Sequence, residues 1–111
     1  MSAALRDFAT RRDWEQFHSP RNLMLALVGE IGELAAEFQW LSDDEIQGLD
    51  ENRKLESIGS ELADVLSYLL RLADVLGIDI DSELTKKMKA NELRYPQERA
   101  RGSAEKYTAY E

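Results

Sequence analysis

Residues 20–41, PRNLMLALVGEIGELAAEFQWL, decide how this chain folds. At about 100° per residue with Glu30 at the origin, Leu23, Met24, Leu27, Val28, Ile31, Leu34, Ala35, Phe38 and Leu41 share an arc of roughly 20–160°. Gly29, Gly32 and Ala36 fill about 200–260°, a small-residue face that predicts close approach by another helix. Asn22, Glu30, Glu33, Glu37 and Trp40 take the remaining arc of about 280–360°. No broad solvent face is left. Such a helix belongs at the centre of an assembly, with its carboxylates bordering apolar surface.

Residues 54–76 repeat the arrangement. With Glu61 at the origin, Leu62, Val65, Leu66, Leu69, Leu70, Leu72 and Ala73 form the apolar arc, and Ser60, Ala63 and Ser67 the small-residue arc. Glu61, Asp64, Tyr68 and Arg71 share one stripe. Glu30 matches Glu61, Gly32 matches Ala63 and Glu33 matches Asp64 at a constant offset, a pattern resembling a diverged internal duplication.

Outward from these two segments, the punctuation predicts four helices. The first covers about residues 3–16 and breaks at His18-Ser19-Pro20, where Ser19 caps the second with Pro20 at its first position. The second runs to Leu41 and is followed by an acidic connection, residues 42–53, containing Gly48. The third spans Lys54 to Leu76 and stops at Gly77. The fourth begins near Asp81-Ser82 and ends before Tyr95-Pro96, with an irregular tail from about residue 97. Nothing alternates as a strand would. The expected fold is all-α, a four-helix, bundle-like subunit, one domain over residues 1–111.

Composition narrows the chemistry. Among 111 residues, 14 Lys+Arg face 22 Asp+Glu, a formal charge of −8 that argues against a nucleic-acid polymer as partner. There is no cysteine, hence no disulfide framework, thiolate metal site or thiol nucleophile. A single histidine, His18, excludes a carboxylate-bridged di-iron bundle, which needs two Glu-x-x-His units. No apolar run approaches the roughly 18 residues of a membrane span, and no export signal is read at the N-terminus, so the expected location is the cytoplasm.

A single Glu-x-x-Glu is ordinary on a solvated helix. Here two acidic pairs, Glu30/Glu33 and Glu61/Asp64, border apolar arcs, and no basic residue stands three or four positions from Glu30 or Glu33. Four such carboxylates in a partly apolar crevice call for cations, and Mg²⁺, with Mn²⁺ as a substitute, suits an all-oxygen donor set that also takes phosphate. Lys87, Asn91 and Arg94 form one polar stripe of the last helix, extended by Tyr95, and read either as a solvated face or as phosphate contacts. Trp14 and Trp40 are either core residues or a platform for a planar base, with His18, Asn22 or Tyr68 at its edge. The residues alone favour a divalent-metal phosphohydrolase acting on a nucleotide.

The spacing of Glu30-x-x-Glu33 and Glu61-x-x-Asp64 resembles the signature of the all-α nucleoside triphosphate pyrophosphohydrolases, the MazG-like superfamily. Arg12-Asp13-Trp14-Glu15-Gln16-Phe17-His18, Pro20-Arg21-Asn22-Leu23, Phe38-Gln39-Trp40, Lys87-Met88, Asn91, Arg94-Tyr95-Pro96 and Arg101-Gly102-Ser103-Ala104 narrow the likeness to its dCTP pyrophosphatases. The resemblance implies Mg²⁺-dependent conversion of dCTP to dCMP and pyrophosphate. It implies metal ligation by Glu30, Glu33, Glu61 and Asp64, and base recognition around Trp14, His18, Trp40 and Tyr68, beside which Asn22 is placed. It also implies phosphate contacts from Lys87, Asn91, Arg94 and Tyr95, and a homotetramer whose sites neighbouring subunits complete. Glu30 is taken as the catalytic base. The alternatives are the same chemistry on dUTP, oxidised or other triphosphates, and a non-enzymatic acidic helical module for oligomerisation.

Overall fold

A computed structural model describes residues 1–48 and 54–94. The described residues form five α-helices and one short 3₁₀ turn, without strands: α1 Ser2–Arg11, the turn Glu15–Phe17, α2 Pro20–Phe38, α3 Asp43–Gln47, α4 Lys54–Leu76 and α5 Ile80–Arg94. The chain divides after Gly77 into two compact units, α1 to α4 in the first and α5 in the second. The all-α class is as expected, but the described residues hold five helices, not four.

The first helix stops at Arg11, well short of residue 16, because the backbone reverses at Asp13 (φ +54°). Trp14 N–H donates to the Ala9 carbonyl at 3.0 Å and Asp13 N–H to that of Thr10 at 3.1 Å. These two bonds form a Schellman cap, which satisfies carbonyls the helix end would leave unpaired. The accompanying apolar contact is aromatic: the Phe8 and Trp14 rings meet edge to face at 5.7 Å, and the Arg12 guanidinium lies 3.6 Å over Phe8. Sequence reading looks for glycine at such a position. Asparagine and aspartate are the next most tolerant residues there, and Asp13 is one of them.

At the start of α2, Ser19 Oγ accepts from Asn22 N–H at 3.1 Å and Pro20 occupies the first helical position. The helix ends at Phe38 rather than Leu41, whose N–H turns back to the Phe38 carbonyl at 3.0 Å. The 42–53 connection contains α3, built on a reciprocal capping box. Glu45 N–H donates to Ser42 Oγ at 3.2 Å, and Ser42 N–H to Glu45 Oε1 at 3.3 Å. Helix α4 ends where Gly77 takes φ +71°, a conformation strained for residues bearing a Cβ. Asp79 Oδ1 accepts from Ser82 N–H at 3.2 Å, so α5 begins at Ile80 rather than at Asp81-Ser82. The tail expected from residue 97 lies outside the described residues.

Helices α2 and α4 pack antiparallel, and their side-chain contacts set the register. Ser57 Oγ donates to Glu37 Oε1 at 2.6 Å, with Lys54 Nζ 3.7 Å from the other oxygen. Glu30 meets Glu61 midway, and Arg71 reaches His18 at the far end. Helix α1 lies on α4 and is pinned by a bidentate pair, Arg6 Nη2 and Nε to the two Asp74 oxygens at 2.6 and 2.9 Å. The buried apolar residues are Ala9, Leu23, Leu27, Ile58 and Ala73. Burying each large aliphatic among them is worth about 1.5–3 kcal/mol.

Much of the apolar arc stays uncovered in the single chain. Met24, Val28 and Ile31 on α2 and Leu62, Leu66 and Leu69 on α4 are all exposed, Val28 at 55%. The close helix approach expected at Gly29 and Gly32 is not made among the described residues, where a Cβ at either would meet nothing within 4 Å. Helix α2 packs on α4 and buries Leu23 and Leu27, and among the described residues nothing covers its glycine side.

Candidate active site

The i, i+3 spacing on α2 and the antiparallel register with α4 bring three carboxylates together. Glu30, Glu33 and Glu61 each offer an oxygen lying within 4.8 Å of the others. Glu30 and Glu61 are half-buried and Glu33 is exposed. Oε2 of Glu30 and Oε2 of Glu61 are buried and receive no hydrogen bond among the described residues. Desolvation raises the pKa of both above the usual carboxylate value, and the charges of Glu33 and Asp64 raise them further. A buried carboxylate oxygen without a donor is unfavourable, and proximity of like charges compounds the cost. Such oxygens fit a hard divalent cation, which would supply the missing positive charge.

Asp64 stands outside this group of three but is close enough to act on Glu30 and Glu61 by its charge. It also lines a cavity of about 360 Å³ with Leu5, Phe8, Ala9, Trp14, His18, Ser67, Tyr68 and Arg71. Asp64 therefore borders both the acidic cluster and a mostly apolar cavity with a few polar groups, the composition usual for a small-molecule site.

Three of the residues anticipated around a base, Trp14, His18 and Tyr68, line this cavity together. The Schellman cap aims Trp14 there, and Arg71 Nε donates to His18 Nδ1 at 3.2 Å. Two others are elsewhere. Trp40 is not among the lining residues and is 84% exposed. It follows the end of α2, where the helical projection that set it beside the acids no longer applies. Asn22 also stands outside the lining, its Nδ2 donating at 3.2 Å to the Phe17 carbonyl and tying the 3₁₀ turn to α2. Lys87, Asn91 and Arg94 occupy exposed positions of α5 in the second unit, and Tyr95 lies outside the described residues.

Sequence reading missed the groups that hold the cavity wall. Arg71, only 7% exposed, donates through Nη1 to Asp74 Oδ2 at 2.8 Å, and Asp74 also receives Arg6. Hydrogen bonds from Arg6, with help from both positive charges, hold the Asp74 carboxyl below the usual aspartate value. Arg71's place on the Glu61–Asp64–Tyr68 stripe was visible, but its partners lie 53 residues back and one helical turn on.

Residues 26–109 match the MazG-like family. Over 104 residues the chain is 51% identical to dCTP pyrophosphatase 1 of Homo sapiens, covering 92% of this chain and 61% of that protein. The Mus musculus dCTP pyrophosphatase 1 gives the same identity and coverage, so the chain spans less than two thirds of the length of these curated relatives. Among solved structures, a pyrophosphatase from Archaeoglobus fulgidus superposes with a TM-score of 0.76 at 42% identity, covering 85% of this chain and 87% of that one.

Proposed function

The chain belongs to the MazG-like family, and we propose that it is a nucleoside triphosphate pyrophosphohydrolase that converts dCTP and water to dCMP and pyrophosphate. The observation that carries the reading is the pair of buried oxygens of Glu30 and Glu61 that receive no hydrogen bond among the described residues, under the charge of Asp64, which itself lines the cavity. Half-identity to dCTP pyrophosphatases supports the base, and the likeness to an archaeal pyrophosphatase supports the reaction class.

Glu30, Glu33 and Glu61, with Asp64 as a fourth carboxylate, would hold magnesium, for which manganese can substitute. Bound there, the ion supplies charge neutralisation and polarisation of phosphoryl oxygen. Glu30 accepts a proton from water as the water oxygen bonds to the α-phosphorus. The bond from that phosphorus to the α,β-bridging oxygen breaks, and pyrophosphate departs. Trp14 offers an aromatic face for the base, and His18 and Tyr68 offer polar edges within the same cavity. Trp40 and Asn22 are further proposed contacts. Lys87, Asn91, Arg94 and Tyr95 are proposed to hold phosphates, on the strength of their match to the family motif.

The working form is proposed to be a cytoplasmic homotetramer. Exposure of Met24, Val28, Ile31, Leu62, Leu66 and Leu69 along two facing helices supports an assembly, because a monomer rarely leaves so continuous an apolar surface in water. Attack at the α-phosphorus is tested in ¹⁸O-labelled water. Label found in dCMP supports the proposal, and label found only in pyrophosphate overturns it.

A further inference from the structure

We propose that Arg71 is a positioning residue for His18, locking the neutral imidazole with its proton on Nε2 so that the cavity offers its ligand one fixed hydrogen-bond donor. The proposal rests on the reading of the cavity as a nucleobase site for the identity of the ligand, but not for the lock itself. A guanidinium has N–H donors and no acceptor. With Arg71 Nε donating at 3.2 Å, His18 Nδ1 must present its lone pair. A neutral ring then carries its proton on Nε2, and the partner it can accommodate there is an acceptor, such as a carbonyl or pyridine-type nitrogen on a base edge.

What holds Arg71 is a directional chain that begins on another helix. Arg6 of α1 grips both oxygens of Asp74 at 2.6 and 2.9 Å, and Asp74 Oδ2 accepts Arg71 Nη1 at 2.8 Å. Arg71 is 7% exposed and His18 half-buried, so neither end of the link is free to reorient into water. Two effects work against a second proton on His18: burial, the larger one, and the adjacent Arg71 charge, while Glu15 acts in the opposite sense. An arginine kept only for packing would not need its Nε aimed at the chain's single histidine, in the wall of the cavity that also holds Trp14 and Tyr68.

One histidine makes the test direct, because a ¹⁵N-labelled protein gives a single set of imidazole signals. In the full chain at neutral pH, long-range ¹H–¹⁵N correlations should show a pyrrole-type Nε2 and a pyridine-type Nδ1, with a scalar coupling across the Arg71 Nε–H···Nδ1 bond. Arg71→Met should abolish the coupling and shift the ring to an averaged mixture of tautomers. It should also raise KM for dCTP about five- to tenfold, the effect of one neutral hydrogen bond, with kcat within about twofold. A protonated Nδ1 in the wild type, no coupling, or an unchanged spectrum or KM in Arg71→Met would overturn the lock. The wild-type spectrum needs no variant, so a poorly folding Arg71→Met leaves the test intact. A locked ring in a protein that cleaves no triphosphate would support the lock and overturn the nucleobase reading instead.

Discussion

Glu30 on α2 and Glu61 on α4 meet across the helix pair, each burying an Oε2 atom that receives no hydrogen bond among the described residues. The two packed helices, whose buried apolar residues include Leu23, Leu27, Ile58 and Ala73, thus carry an unfavourable electrostatic contact between them. A fold can hold such a contact when a cation completes it, which makes stability and activity depend on the same residues.

Replacing either carboxylate should separate those two properties. Glu30→Gln and Glu61→Gln remove one charge from the cluster while keeping side-chain volume, so both variants should melt higher than the wild type in chelator. Both should lose at least about 100-fold in turnover, the scale of a lost base or an impaired metal site. Either variant retaining wild-type rates in saturating Mg²⁺ would place the site elsewhere.

The same cluster sets a pH dependence in metal-free protein. The folded-state pKa values of Glu30 and Glu61 lie above the ordinary 4.5. Their contribution is therefore fully present below 4.5 and is lost as pH rises through the folded values, because the unfolded chain ionises more readily. Melting temperature in chelator should accordingly carry a falling component above that pH, and added Mg²⁺ should raise the melting temperature more at pH 7 than near the ordinary carboxylate pKa. A Mg²⁺ shift that is absent, or the same across that range, would contradict this.

Asp74 has the opposite sign. Arg6 and Arg71 hold its pKa below 3.8, so its contribution is present above 3.8 and lost as pH falls through the folded value. Asp74→Ala leaves the buried Arg71 guanidinium without its carboxylate and should destabilise by about 3 kcal/mol, read from urea unfolding at neutral pH. Asp7→Ala, which removes an exposed i, i+4 partner of Arg11, should change stability by less than about 0.5 kcal/mol.

Features written locally were legible in the sequence. Ser19 and Pro20 announced α2, Gly77 ended α4, and the spacing of Glu30, Glu33 and Glu61 placed three carboxylates on facing stripes. The Ser42-x-x-Glu45 capping box was equally local, yet the acidic composition around it concealed a helix of only five residues. Other features depend on tertiary structure. Trp14 points into the cavity because Asp13 takes a left-handed conformation that aspartate adopts only in suitable surroundings. Arg71 could not be assigned a partner because Arg6, Asp74 and His18 converge on it only after α1 and α2 pack against α4. The helical projection that put Trp40 on the acidic stripe does not extend past Phe38, where the helix ends, so the local pattern carries no direction for that ring.

The apolar arc gives a prediction for assembly. Val28→Glu puts a charge on a side chain that is 55% exposed in the single chain, where it should be nearly neutral for folding. In a tetramer that buries this arc, the same substitution should shift light-scattering mass from tetramer towards smaller species and lower the melting temperature at micromolar protein. A monomeric wild type, or a Val28→Glu tetramer of unchanged stability, would contradict burial of this face.

The most direct measurement is product identity from a panel of triphosphates, dCTP, dUTP, oxidised nucleotides and the remaining dNTPs, with the purified chain in Mg²⁺ and again in chelator. Metal-dependent release of pyrophosphate and dCMP, fastest with dCTP, is the predicted result. No pyrophosphate from any triphosphate, or release of orthophosphate alone, would contradict the proposed reaction. In the first of these cases the acidic helix pair would serve oligomerisation alone.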